Sequence, residues 1–141
     1  MTYQTIQEIE NLVRSFEDCY LPRSQWTHQA HLTVALWFLI HYPQQKAIAR
    51  IRLGIVRYNQ AMGIQNTKTS GYHETITLFW IHKIHDFLIR ESIHELTLAA
   101  WSKLMQQFSN PKLPLQYYSL DRLMSWQART TWIEPDLSPL C

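Results

Sequence analysis

The sequence contains few of the residues that interrupt a chain or cross-link it. Its 141 residues include 3 glycines, 6 prolines and 2 cysteines. Cys19 and Cys141 form no CxxC or other metal-binding spacing, and nothing in the sequence supports a bridge between the two ends of the chain. We therefore expect a reduced, cytoplasmic setting.

The chain also lacks a charge excess and a long apolar run. With 13 basic and 11 acidic residues the net charge is +2, so the chain has no excess of positive charge that would favour binding to nucleic acid. The longest apolar run, 34–40, is far shorter than the ~20 residues that cross a bilayer. The N-terminus is amphipathic and acidic, unlike a secretory signal. We predict a soluble protein that binds neither nucleic acid nor membranes.

The residues that are present predict an all-α fold. At this length, with 46% hydrophobic residues, a chain forms one core, so we expect a single helical domain over residues 1–141. No segment alternates apolar and polar residues between hairpin turns, which leaves no candidate strand. Apolar residues instead recur at helical spacing. We predict a compact bundle of about five main helices with short C-terminal helices.

Turn residues and prolines divide this pattern into segments. Ser24 and Ser70 are the expected N-caps of the second and fourth helices. Residues 112–118, which follow Pro111 and include Pro114, are expected to be an extended crossing. The predicted main helices cover residues 5–19, 24–42, 44–62, 72–90 and 92–109, and the short helices lie within 120–132.

The second helix carries two histidines in the most apolar part of the chain, residues 26–40. Its C-terminal half is apolar on every side, which predicts a helix surrounded by the others. His28 and His31 are three residues apart and therefore project from one face. Two inward imidazoles on such a helix require polar partners to offset their desolvation. We expect a polar site at this face.

The start of the fourth helix offers the remaining groups of a site. His73 falls on the inner face of that helix, and Glu74 follows it in the first turn. Inward side chains of facing helices can form a metal site. We predict that His28, His31 and His73 bind a divalent metal such as Zn, Fe or Mn. Glu74 could then act as a further ligand or as a general base in hydrolytic or oxidative chemistry.

Other interpretations use the same residues. Without a metal, His28, His31 or His73 could act as a general acid or base, with Glu74 orienting an imidazole. The HExxH motif of metalloproteases is absent. Ser70, Tyr72 and Arg57 would lie at the mouth of the site, where the 69–71 turn and the basic edge of the third helix could hold a small anion or polar ligand. Helix capping and a solvated helix face are the simpler explanations of the same residues.

Two further classes rest on the aromatic content of 13%. The histidines and several of the six tryptophans could line a non-catalytic pocket for a small molecule or a haem-like group, although a packed core accounts for the same residues. Exposed aromatic side chains could instead form a homodimeric interaction module.

Eight short blocks spread over most of the chain form one more pattern: Phe16-Glu17-Asp18-Cys19, Pro22-Arg23, Trp26-Thr27-His28, Ala30-His31-Leu32, Arg57-Tyr58-Asn59, Asn66-Thr67, Thr69-Ser70-Gly71-Tyr72-His73-Glu74-Thr75 and Leu123-Met124-Ser125. In this order they resemble the blocks of a family of small bacterial proteins that are usually labelled hypothetical. The resemblance implies no reaction, cofactor or partner. Gln29 stands where that family has an acidic residue, which implies that this position is not an obligatory metal ligand.

Overall fold

The computed structural model describes residues 3–140, and over this range the chain is helical with no strand. The predicted all-α fold is therefore confirmed. Short 3-10 helices cover Arg23–Gln25 and Leu113–Gln116. The α-helices are α1 Ile6–Glu17, α2 His28–His41, α3 Gln44–Ala61, α4 Glu74–Arg90, α5 Leu98–Gln107, α6 Leu120–Leu123 and α7 Trp126–Thr130.

Helix α2 is the centre of the bundle. It packs against α1, α3, α4 and α5, and eight of its 14 residues are buried. This confirms the expectation from its apolar sequence, because a helix with no polar face must be covered on every side. Helix α4 packs against α2, α3 and α7. The end of the chain therefore returns to the start of α4.

Three of the predicted helix starts are wrong, because other side chains cap the helices. Helix α2 begins at His28, where Thr27 Oγ1 accepts a hydrogen bond from the N–H of Ala30 at 3.2 Å. The predicted cap, Ser24, lies in the preceding 3-10 helix. Helix α5 begins at Leu98, six residues after the predicted start at residue 92. Its cap is Thr97, whose Oγ1 accepts from the N–H of Ala100 at 3.0 Å.

The third wrong start concerns α4, where the cap is a histidine. Nδ1 of His73 accepts a hydrogen bond from the N–H of Ile76 at 3.1 Å, so α4 begins at Glu74. The predicted cap, Ser70, hydrogen-bonds within the preceding loop. The region predicted as an extended crossing is also different, because residues 113–116 form a 3-10 turn.

Over residues 3–140, no helix is long and apolar enough to cross a membrane. Cys141 lies outside the described residues, so the expectation that it does not pair with Cys19 stays a prediction.

Candidate functional site

A cavity of about 70 Å³ lies between α2, α3 and α4, and both histidines of α2 line it. Trp26, just before α2, and Trp80 of α4 contribute aromatic walls, and Thr77 is a polar side chain at the edge. The remaining wall is aliphatic: Leu32, Val34, Ala35, Ile51, Ile55, Ile76 and Ile81. The cavity is accessible to solvent at His31, which is exposed.

Hydrogen bonds to backbone carbonyls determine the tautomers of the two imidazoles. Nε2 of His28 lies 2.8 Å from the carbonyl oxygen of Phe108, at the end of α5. Nδ1 of His31 lies 2.7 Å from the carbonyl oxygen of Thr27, one turn earlier. A carbonyl oxygen only accepts, so each of these nitrogens carries the proton. In its neutral form, each ring then has a second nitrogen with a lone pair.

Each imidazole is held in place by an indole ring. The rings of His31 and Trp26 stack with centroids 3.7 Å apart and planes 28° apart. Trp26 in turn stacks on Phe16 at 4.5 Å. The edge contact between His28 and Trp80 has centroids 4.8 Å apart. These contacts restrict ring rotation, so the acceptor nitrogens have fixed positions.

The neutral form of His31 is favoured. Although the residue is exposed on its outer side, its ring stacks on Trp26 in the apolar cavity wall, and this desolvation lowers the pKa of His31, while the Thr27 carbonyl acts in the opposite direction. The neighbouring His28 lowers the pKa further. A neutral imidazole is both a possible metal ligand and a general base.

His73 does not line this cavity, and both of its ring nitrogens have partners. While Nδ1 accepts from Ile76, Nε2 donates to the carbonyl oxygen of Leu123 at 2.8 Å. The ring is buried, and burial followed by the positive charge of Arg129 lowers the pKa of His73. In the structure His73 therefore joins the start of α4 to α6.

Glu74 also lies outside the cavity wall and forms an ion pair that sequence reasoning missed. Its carboxylate accepts from Nε and Nη2 of Arg52 in α3, at 3.0 and 2.6 Å. The hydroxyl of Tyr72 donates to the same carboxylate, and burial followed by this carboxylate raises the pKa of Tyr72. The cluster of Arg52, Tyr72 and Glu74 thus links α3 to α4, two of the three helices that form the cavity.

The other predicted ligand-binding residues are separate from the cavity. Ser70 is exposed in the loop, where its hydroxyl donates to the carbonyl oxygen of Gln65 at 2.9 Å. Arg57 is exposed on α3. Thus the structure brings His28 and His31 to one cavity, whereas His73, Glu74, Ser70, Tyr72 and Arg57 lie elsewhere.

Within the described part of the chain, no group of three or more His, Cys, Asp or Glu side chains is placed to hold a metal ion. The metal site proposed from the sequence therefore stays a prediction, and two histidines are its only members at the cavity.

Comparison of the chain with protein-family models, with curated proteins and with solved structures gave no match. The resemblance to small bacterial proteins stays untested.

Proposed function

We propose that the protein binds a small, mostly apolar molecule that carries an O–H or N–H donor, in the cavity between α2, α3 and α4. The observation that supports this proposal is the pairing of two oriented imidazoles, each with an acceptor nitrogen, with a wall that is mostly apolar. Ligand sites commonly combine such a wall with a few fixed polar groups.

The size of the cavity limits the ligand. An apolar cavity of about 150 Å³ can hold benzene, so about 70 Å³ accepts part of a small ring or a short branched chain. The opening at His31 allows the rest of the ligand to extend into solvent. A ligand whose donor group enters first fits this shape.

The charge state of the site favours neutral donors. His31 is uncharged at neutral pH, so its free nitrogen attracts a donor group and repels an acceptor such as an ether oxygen. A neutral hydrogen bond contributes about 1 kcal/mol net, and leaving a polar group unpaired costs more. Discrimination between donor and acceptor ligands should therefore be about tenfold.

Pyrrole and furan test this proposal because the two rings have the same shape, but only pyrrole has an N–H donor. We expect pyrrole to bind with a Kd of the order of 1 mM or weaker and furan about tenfold more weakly. The Kd values can be measured by NMR from the ring signals of His28 and His31. In His31→Leu the ratio of the two Kd values should fall, because one of the two acceptor nitrogens at the cavity is lost.

His41→Leu is a matched control. His41 repeats the arrangement of His31 at the other end of α2: its Nδ1 donates to the carbonyl oxygen of Trp37, and it stacks on that ring at 4.1 Å. It does not line the cavity, so its replacement should leave the ratio unchanged. Equal affinities of pyrrole and furan for the wild-type protein, or a ratio that is unchanged in His31→Leu, would contradict the proposal.

A divalent metal is the second candidate, because metal-binding histidines usually donate their other N–H to a carbonyl, as His28 and His31 do. The two rings would then supply two ligands, and water or substrate the rest. We expect untagged protein, purified without chelator, to contain close to one Zn, Fe or Mn per chain by elemental analysis. His31→Leu should lose it. A metal-free protein whose thermal stability does not respond to these ions would exclude this candidate.

A further inference from the structure

Arg129 of α7 is a buried cation without an acidic partner in the described range. Arg129 is only 8% exposed. Nη1 donates to the carbonyl oxygen of Gly71 at 3.2 Å, and Nε is buried without a hydrogen-bond partner. None of the ion pairs found within residues 3–140 includes Arg129. A buried charge of this kind is costly unless a counter-charge accompanies it.

The guanidinium lies beside the N-terminus of α4, a 17-residue helix. Gly71 is two residues before the capping His73, and the positive charge of Arg129 acts on the His73 ring. The first N–H groups of a helix have no carbonyl partner one turn earlier. Nδ1 of the capping His73 accepts a hydrogen bond from the N–H of Ile76. The N–H groups of Glu74 and Thr75 remain to bind a ligand.

The other charged groups at this place do not neutralise Arg129. The carboxylate of Glu74 accepts hydrogen bonds from Arg52 and Tyr72. His73 is held neutral, because Nδ1 accepts a hydrogen bond and Nε2 donates one. The positive end of the α4 dipole and the guanidinium therefore add at one point.

We propose that Arg129 and the N-terminus of α4 bind an oxyanion, the phosphate or carboxylate group of a ligand. The planar guanidinium matches either group through two parallel hydrogen bonds, and helix N-termini favour the same charge. This site is distinct from the histidine-lined cavity and from the site of the sequence hypothesis, in which Arg57 and the 69–71 turn hold the anion.

Inorganic phosphate and acetate are the probes, titrated into ¹⁵N-labelled wild-type protein with sodium chloride keeping the ionic strength constant. We expect saturable shifts of the Arg129 Nε–Hε signal and of the Glu74 and Thr75 amides at millimolar concentration. At ten times the Kd, the melting temperature should rise by about 3–5 °C. Binding of phosphate alone would indicate a phosphate ligand, and binding of both probes a site for either oxyanion.

Arg129→Lys keeps the charge but removes the planar fork, and it should weaken phosphate binding at least tenfold. Arg122→Lys is the control, since Arg122 lies nearby in α6 and donates to the carbonyl oxygen of Glu134; it should bind like wild type. If Arg129→Lys does not fold, the chemical-shift changes of the wild-type protein on titration still test where the anion binds. Shifts confined to Arg57 or the hydroxyls of residues 69–70, or no saturation by either anion, would overturn the proposal.

Discussion

Thr75→Val is expected to lower the free energy of unfolding by about 3 kcal/mol. The Thr75 hydroxyl is fully buried, donates to the carbonyl oxygen of Thr131 at 2.9 Å and accepts from the N–H of Ile133 at 3.3 Å. Valine has nearly the same shape, so packing is kept while the N–H of buried Ile133 and the carbonyl oxygen of Thr131 lose their partner. Each such group costs about 1–3 kcal/mol. Urea denaturation measures the change.

Thr77→Val is the matched control in the same helix. The Thr77 hydroxyl donates to the carbonyl oxygen of His73 at 2.7 Å, and that oxygen also accepts from the Thr77 N–H at 3.1 Å. The His73 carbonyl oxygen therefore keeps one hydrogen bond when the Thr77 hydroxyl is removed, and Thr77 is only half-buried. We expect a loss below about 1 kcal/mol. Equal losses in the two variants would show that Thr75 does not hold the chain after α7 against α4.

The all-α fold and the central position of α2 could be predicted because both follow from periodicity and composition. A run such as 34–40, apolar on every side, can be stable only inside a bundle. Its burial against four helices agrees with this. Hydrophobic periodicity is a property of one segment, so it can be read without knowing which helices pack against that segment.

Helix starts were predicted less well, because a cap depends on the conformation of a few residues and several can compete. Ser24 and Thr27 are both good N-caps, and the sequence does not say which one takes the extended backbone that a cap requires. Histidine is not among the preferred capping residues, so His73 offered no signal for its role.

The candidate site was predicted in part for a similar reason. His28 and His31 share a face of one helix, so their common cavity follows from spacing. His73 also faces inward, but its partner Leu123 is 50 residues away in the chain. The face of a helix gives the direction of a side chain, but it does not identify the residue that the side chain contacts. One signal for Arg52 was present, since it is four residues after Ile48 and three before Ile55 and therefore shares their face of α3.

Gly71→Ala is expected to destabilise the protein by about 3 kcal/mol. Gly71 has φ +92°, where a side chain is strained, and an added Cβ would lie 2.3 Å from Asn66 Oδ1 and 2.8 Å from Asn66 Cα. The Asn66 side chain cannot simply move away, because Oδ1 accepts the N–H of Tyr72 at 3.1 Å. The loop must therefore shift, and with it the Gly71 carbonyl that Arg129 contacts. Urea denaturation and phosphate titration measure the two effects.

Gly63→Ala separates backbone strain from the steric clash. Gly63 has φ +73°, also in the left-handed region, but no atom lies within 4 Å of an added Cβ. Only the strain remains, which costs about 1–2 kcal/mol. We expect Gly63→Ala to keep wild-type phosphate affinity at Arg129, and Gly71→Ala to weaken it. If both variants lose the same stability and both keep the affinity, the Asn66 contact does not fix the loop, and the position of Arg129 does not depend on Gly71.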